Sequence, residues 1–269
     1  MLRRLEFYID GQWRAPVRGN PLEVVNPADE QPFAVISLGS AGDVDAAVAA
    51  ARRAFPGWAA AGLDARIALT EKLRAIYEAR MDDMAEAISK EMGAPISLAR
   101  DAQAAAGLGH IKAFVRVAKG YGFEHALDER SPQERIIHEP IGVCGLITPW
   151  NWPMNQVALK VIPALLAGCT VVLKPSEIAP LSSMLLADMI HEAGFPAGVF
   201  NLVNGDGPTV GEAMSRHPGI DMMSFTGSAR AGIAVQKAAA DTVKRVSLEL
   251  GGKSPNIVFA DEGLADAVK

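Results

Sequence analysis

The spacing of apolar residues changes character along the chain. LEFYIDGQWRAP (5–16) alternates apolar and polar positions and turns at Asp10–Gly11, which predicts a β-hairpin. PLEVVNPADEQPFAVISLG (21–39) predicts a second strand-turn-strand unit. The period then lengthens. SAGDVDAAVAAARRAFPGW (40–58) has helical, alanine-rich spacing up to Pro56, with Ser40 or Asp43 as the N-cap. The stretch 63–93 predicts a long amphipathic helical region with Ile67, Leu73, Ile76, Met84 and Ile88 on its buried face, closed by Gly93. Residues 95–122 continue as helix.

Between Gly122 and Pro140 the helical signal disappears. QERIIHEPIGV (133–143) reads as extended chain, either an arm for another subunit or a surface hairpin. Beyond it, short β-branched runs (VCGLITP, TVVLKPS, VFNLVNG, DMMSFTG and VKRVSLELGG) alternate with helical stretches. That alternation predicts an α/β fold, a parallel sheet with helices on both faces. Each strand ends in a Pro, Gly, Ser or Asn cluster, and ligands of such sheets bind at the carboxyl ends of the strands.

Composition narrows the function classes. The chain has 269 residues, 49% hydrophobic and 21% charged, with a net charge of −5, which disfavours nucleic acid and anionic membranes as partners. The longest charge-free apolar stretch, Val161 to Leu173, is too short for a bilayer span, and MLRRLEFYIDGQW lacks the apolar core of a secretory signal. Two cysteines, Cys144 and Cys169, form no disulfide framework and read as buried thiols of a reducing compartment, so a cytoplasmic location is expected. The five histidines have no ligand-like spacing, and no metal site is predicted.

The strand-end clusters carry the candidate chemistry. In ITPWNWP (147–153), Asn151 is either an amide donor for a developing oxyanion or a turn residue between packing aromatics. In LKPSE (173–177), Lys174 and Glu177 suit a ribose, or form a solvated pair at a helix entrance. FTGSARAG (225–232) places Gly227 and Ser228 where a helix N-terminus would take a phosphate, or marks a plain strand-to-helix turn; NGDGPTVG (204–211) only approximates the dinucleotide fingerprint. In LELGGK (248–253), Glu249 is a general base or a neutralised buried carboxylate.

Taken in order, PWNWP, LKPSE, GFPAGVFNLVNG, FTGS and LELGGKSP closely resemble the aldehyde dehydrogenase superfamily, and the resemblance runs from YIDGQW and NPAD to the end of the chain. It implies a Rossmann-like sheet, an N-terminal helical region and a small extended arm. It also implies NAD-dependent oxidation of an aldehyde to a carboxylic acid, with NADP as the alternative cofactor. By matching motifs, Glu249 is the general base, Asn151 steadies the oxyanion and Lys160 supports the site. Lys174 and Glu177 bind the adenosine ribose, Gly227 and Ser228 contact the pyrophosphate, and Ile147 and Trp150 line the cofactor cleft. Glu249 also points to hydrolysis rather than transfer to CoA.

The resemblance further implies a division into 1–121 and 141–252 as two parts of a cofactor-binding domain, 122–140 as an oligomerisation arm, and 253–269 as the start of a largely missing catalytic domain. The family's nucleophilic cysteine is expected past Lys269, because Cys144 and Cys169 both precede Glu249. The isolated 269-residue chain is therefore expected to be inactive, and a homo-oligomer is expected of the full-length protein. The alternative is a non-catalytic NAD-binding or assembly module.

Overall fold

The structure is a computed structural model that describes residues 1–259 and Gly263. Three short N-terminal strands, β1 (Leu2–Arg4), β2 (Phe7–Ile9) and β3 (Gln12–Arg14), lead into the hairpin of β4 (Pro21–Asn26) and β5 (Gln31–Ser37). The β2–β3 turn falls at Asp10–Gly11 with both residues at positive φ, the backbone that closes a two-residue hairpin.

The helices that follow are α1 (Ala41–Ala60), α2 (Leu63–Ala79) and α3 (Met81–Met92). Asp43 accepts the N–H and the hydroxyl of Ser40 at 2.8 and 2.7 Å, so the expected cap region opens α1. Pro56 does not end that helix. It continues to Ala60, held by buried Trp58, whose Nε1 donates to the Leu165 carbonyl at 3.1 Å. The expected long helix at 63–93 is broken at Arg80, which ends α2 and precedes α3, and Gly93 closes α3 in the left-handed conformation.

Residues Ile96–Leu98 (α4) pass through one wide, π-type stretch, Ala99–Ala104, into α5 (Ala105–Gly120). Tyr77 fixes that stretch from α2, its hydroxyl donating to the Ala104 carbonyl at 2.9 Å. The extended segment after it forms an antiparallel pair, β6 (Glu124–Ala126) with β7 (Arg135–Ile137), in a two-stranded sheet of its own.

The second half supplies the predicted parallel sheet. Its elements are β8 (Val143–Ile147), α6 (Pro153–Leu166), β9 (Thr170–Lys174), α7 (Leu181–Ala193), β10 (Phe200–Leu202), α8 (Glu212–Arg216), β11 (Met222–Gly227), α9 (Ala229–Ala240) and β12 (Arg245–Leu250). The strand order is β12-β11-β8-β9-β10-β2-β3, parallel from β12 to β10, with the N-terminal hairpin added antiparallel at the edge.

Alternation along the strands fills two cores. Cys144, Leu146, Val171 and Leu173 face α2, α6 and α7, whereas Val143, Ile147, Val172 and Phe225 join Val44, Ala47 and Met214 on the side of α1 and α8. From β8 the chain builds outward through β9 and β10, then returns to place β11 on the other flank of β8. The strand order therefore reverses between β8 and β11, and open α/β sheets bind ligands outside the carboxyl ends at such a reversal. Among the described residues no helix is long and apolar enough to cross a membrane. Of the segment 253–269, expected to begin a further domain, residues 260–262 and 264–269 lie outside the described residues.

Candidate active site

The reversal point carries the chemistry. A cleft of about 1040 Å³ lies beside α6 and over the same face of β11 and β12, and it is lined by Trp150, Asn151, Lys160, Gly227, Ser228 and Glu249 among others. Six of the nine residues singled out from the sequence thus come together. Ile147, Lys174 and Glu177 do not line this cleft.

Two strands position its polar floor. In the parallel register Ser224 stands opposite Ser247, and Thr226 stands opposite Glu249. These alternate residues face the cleft, while Met223, Phe225, Val246 and Leu248 turn to the other core. Glu249 is exposed at its edge of the sheet. Lys160 reaches in from α6, and its Nζ donates to Ser224 Oγ at 2.9 Å. Burial holds the Lys160 ammonium below the usual lysine range, and the charge of Glu249 opposes that shift.

Trp150 and Asn151 are exposed on the loop between β8 and α6. Pro153 begins α6, where its missing N–H leaves no intrahelical bond unmade. The Asn151 backbone carbonyl accepts from Gln103 Nε2 at 3.4 Å, which ties the loop to the wide helical stretch.

At the end of β11, Gly227 packs directly against the Phe225 ring, from which an added Cβ would lie only 2.5 Å away. Ser228 caps α9, its hydroxyl accepting the Ala231 N–H at 3.2 Å. Buried hydroxyls of Thr148, just past β8, and Thr226, on β11, have no hydrogen-bond partner among the described residues. Sequence reading missed both threonines and Ser224, because an isolated hydroxyl residue in a strand carries no motif of its own.

Lys174 and Glu177 stand at the end of the next strand, β9. The Lys174 ammonium is buried and donates to the Gly205 carbonyl at 2.6 Å, the Pro175 carbonyl at 2.9 Å and Glu177 Oε2 at 3.2 Å. Burial lowers its pKa, opposed by the charge of Glu177. Its three donors are engaged, so Glu177, only partly buried, is the member of the pair with an oxygen to offer a ligand. Ile147 is buried in the core on the α8 side, beside Gly211.

Gly205 begins the connection that resembled a dinucleotide fingerprint. Asp206 accepts the Thr209 N–H at 2.7 Å, and a wide turn, Gly207–Gly211, runs into α8.

Cys144 and Cys169 are buried neighbours at the inner wall of the cleft, where the adjacent Cys169 and burial push the Cys144 thiol up. Among the described residues no three His, Cys, Asp or Glu side chains are grouped to hold a metal.

A carboxylate, a desolvated lysine, an exposed amide and a helix N-terminus surround one cleft, and comparison identifies the chain's lineage. The sequence matches the aldehyde dehydrogenase family over residues 13–269. The chain belongs to that family. It is 56% identical over 265 residues to 3-succinoylsemialdehyde-pyridine dehydrogenase of a Pseudomonas species, covering 98% of this chain and 55% of that protein. The chain thus spans about half the length of the curated relatives it matches.

Solved aldehyde dehydrogenases superpose closely. The Bartonella henselae enzyme is 54% identical with a TM-score of 0.96, covering 100% of this chain and 56% of its own. Aldehyde dehydrogenase C of Pseudomonas syringae, a cysteine-to-alanine variant complexed with NAD+ and octanal, is 52% identical with a TM-score of 0.93, covering 98% and 54%.

Proposed function

We propose that this aldehyde dehydrogenase chain supplies the cofactor cradle and the general base for NAD-dependent oxidation of an aldehyde to a carboxylic acid. The observation that carries the reading is the placement of Glu249 and Lys160 on the walls of the switch-point cleft, with Asn151 at its mouth.

The strand ends suit a dinucleotide. Thr226 and Gly227 stand beside the crevice at the end of β11, and the capped N-terminus of α9 suits a pyrophosphate. Glu177 would accept from the adenosine ribose, with Lys174 holding that carboxylate in place. Its negative charge favours NAD over a cofactor carrying a 2′-phosphate. Ile147 would pack beneath the cofactor, and exposed Trp150 would close over its reactive end. The bound nicotinamide supplies a hydride acceptor.

Asn151 would donate its amide hydrogen to the substrate oxygen as negative charge develops there. Glu249 would take a proton from the water that hydrolyses the acyl group, or from the attacking thiol, and Lys160 would support it with positive charge. Neither Cys144 nor Cys169 is suited to be that thiol, since both are buried in the sheet wall. We assign the nucleophile to a cysteine outside residues 1–269 of the complete protein. The β6–β7 hairpin is the proposed oligomerisation arm, dividing the cofactor domain into 1–121 and 141–252, and the proposed catalytic domain starts after Gly252. The protein is proposed to act in the cytoplasm.

The test is turnover by the complete protein. With NAD and a range of aldehydes, NADH and acid should form together without CoA. Failure to oxidise any aldehyde would refute the reading, and a requirement for CoA would replace hydrolysis with acyl transfer.

A further inference from the structure

Ser224 occupies a position where a buried parallel strand ordinarily carries an apolar side chain. Its neighbours on β11, Met223 and Phe225, are buried apolar residues, and Ser224 itself is 9% exposed. Burying a hydroxyl is unfavourable unless it is hydrogen-bonded. Here it accepts from Lys160 Nζ at 2.9 Å, a contact that spans from α6 to the sheet. In register Ser224 stands opposite Leu146 on β8 and Ser247 on β12, at the middle of the cleft floor.

We propose that Ser224 is a positioning residue for the reaction: its hydroxyl anchors the Lys160 ammonium on the cleft floor, within the electrostatic reach of Glu249. The proposal rests on the assignment of Glu249 as general base. A lysine side chain has four rotatable carbons and many rotamers, so an ammonium without an anchor would spread over the open cleft. The anchor also favours the charged state, because a hydrogen bond accepted from an ammonium stabilises the protonated form.

Among the described residues, the titratable side chains lining this cleft are Lys160 from α6, Glu249 from β12, Cys144 from β8 and Cys169 at the entrance to β9. Burial already biases Lys160 toward neutrality, and Glu249 opposes that bias. Ser224 therefore acts on a group whose charged form burial already disfavours.

The experiment follows the Lys160 Cε resonance in the complete protein labelled with ¹³C-lysine, assigned by its loss in Lys160→Gln, alongside the pH profile of kcat. In Ser224→Ala the Lys160 midpoint should fall by about one pH unit. The alkaline limb of kcat should fall with it, and kcat should drop about tenfold with little change in the aldehyde KM. Ser224→Thr, which restores the hydroxyl, should recover the midpoint, the limb and the rate.

An unmoved or raised midpoint in the alanine variant would overturn the proposal, as would a lowered midpoint with an unaltered rate profile. Failure of the threonine variant to recover either would also overturn it. In those cases the wild-type protein still oxidises aldehydes, so the broader functional reading stands. A wild-type protein that oxidises no aldehyde would instead remove both.

Discussion

Thr226 on β11 lies opposite Glu249 on β12, and both side chains face the cleft beside α6. The Thr226 hydroxyl is buried without a hydrogen-bond partner among the described residues. A buried hydroxyl that bonds to no protein group opposes folding, and its isosteric apolar replacement is neutral to stabilising. Thr226→Val should therefore leave the denaturant midpoint at or above the wild-type value. It should weaken NAD binding about tenfold if that hydroxyl serves the cofactor, as titration calorimetry on the complete protein would show.

Cofactor choice tests Glu177. Its carboxylate is braced by Lys174 at 3.2 Å and is partly open to solvent. Glu177→Gln removes the negative charge that would repel a 2′-phosphate while keeping the side chain's size. The NADP/NAD ratio of kcat/KM should rise about tenfold. An unchanged ratio would place the ribose elsewhere.

A pH-dependent element lies away from the cleft. Glu91, at the end of α3, is fully buried and accepts the N–H groups of Leu181 and Ser182 at the start of α7. Burial raises its pKa to about 7, against the lowering effect of those hydrogen bonds. Because the folded-state value is raised, the folded protein holds a proton that the unfolded chain releases earlier. The stabilisation is full below the ordinary carboxylate range and is lost as pH rises through about 7. The stability of wild type relative to Glu91→Gln should therefore decline between pH ~4.5 and ~7, in denaturant melts of both proteins. A pH-independent difference would mean that Glu91 stays charged in the fold.

The wide helical stretch before α5 should depend on Tyr77. Its buried hydroxyl is held by the Ala104 carbonyl at 2.9 Å. Tyr77→Phe removes this buried hydrogen bond and should cost about 1 kcal/mol of unfolding free energy in denaturant melts. Gly107→Ala should also destabilise the protein, because its new Cβ would collide with the same Tyr77 hydroxyl.

The second half of the chain was more legible in the sequence than the first. Runs such as TVVLKPS and DMMSFTG declare parallel strands because their β-branched and apolar residues are buried on both faces. The Asp10–Gly11 hairpin and the Gly93 cap were legible for local reasons, since each turn is set by backbone conformations that few residues accept. Pro56 misled because burial of Trp58 outweighed a local helix-breaking signal, and the break at Arg80 left no mark in the apolar spacing. The extended segment at 122–140 did form a separate strand pair, although pattern alone could not say what it contacts.

In the site, Asn151, Lys160 and Glu249 were found through motif resemblance and are brought together by the reversal of strand order. Ser224 and Thr226 were missed because what places them at the cleft is the residue each faces across the sheet, which no linear spacing encodes. The engagement of all three Lys174 donors was equally hidden, since the Gly205 carbonyl comes from the end of another strand.

The most direct test of the account is the steady-state rate of acid formation by Glu249→Gln in the complete protein, with NAD affinity measured in parallel. A general base at the cleft predicts a fall of about 10²-fold or more with NAD affinity unchanged. Acid formation within about twofold of wild type would contradict the assignment and leave Glu249 as a surface carboxylate at the edge of the sheet.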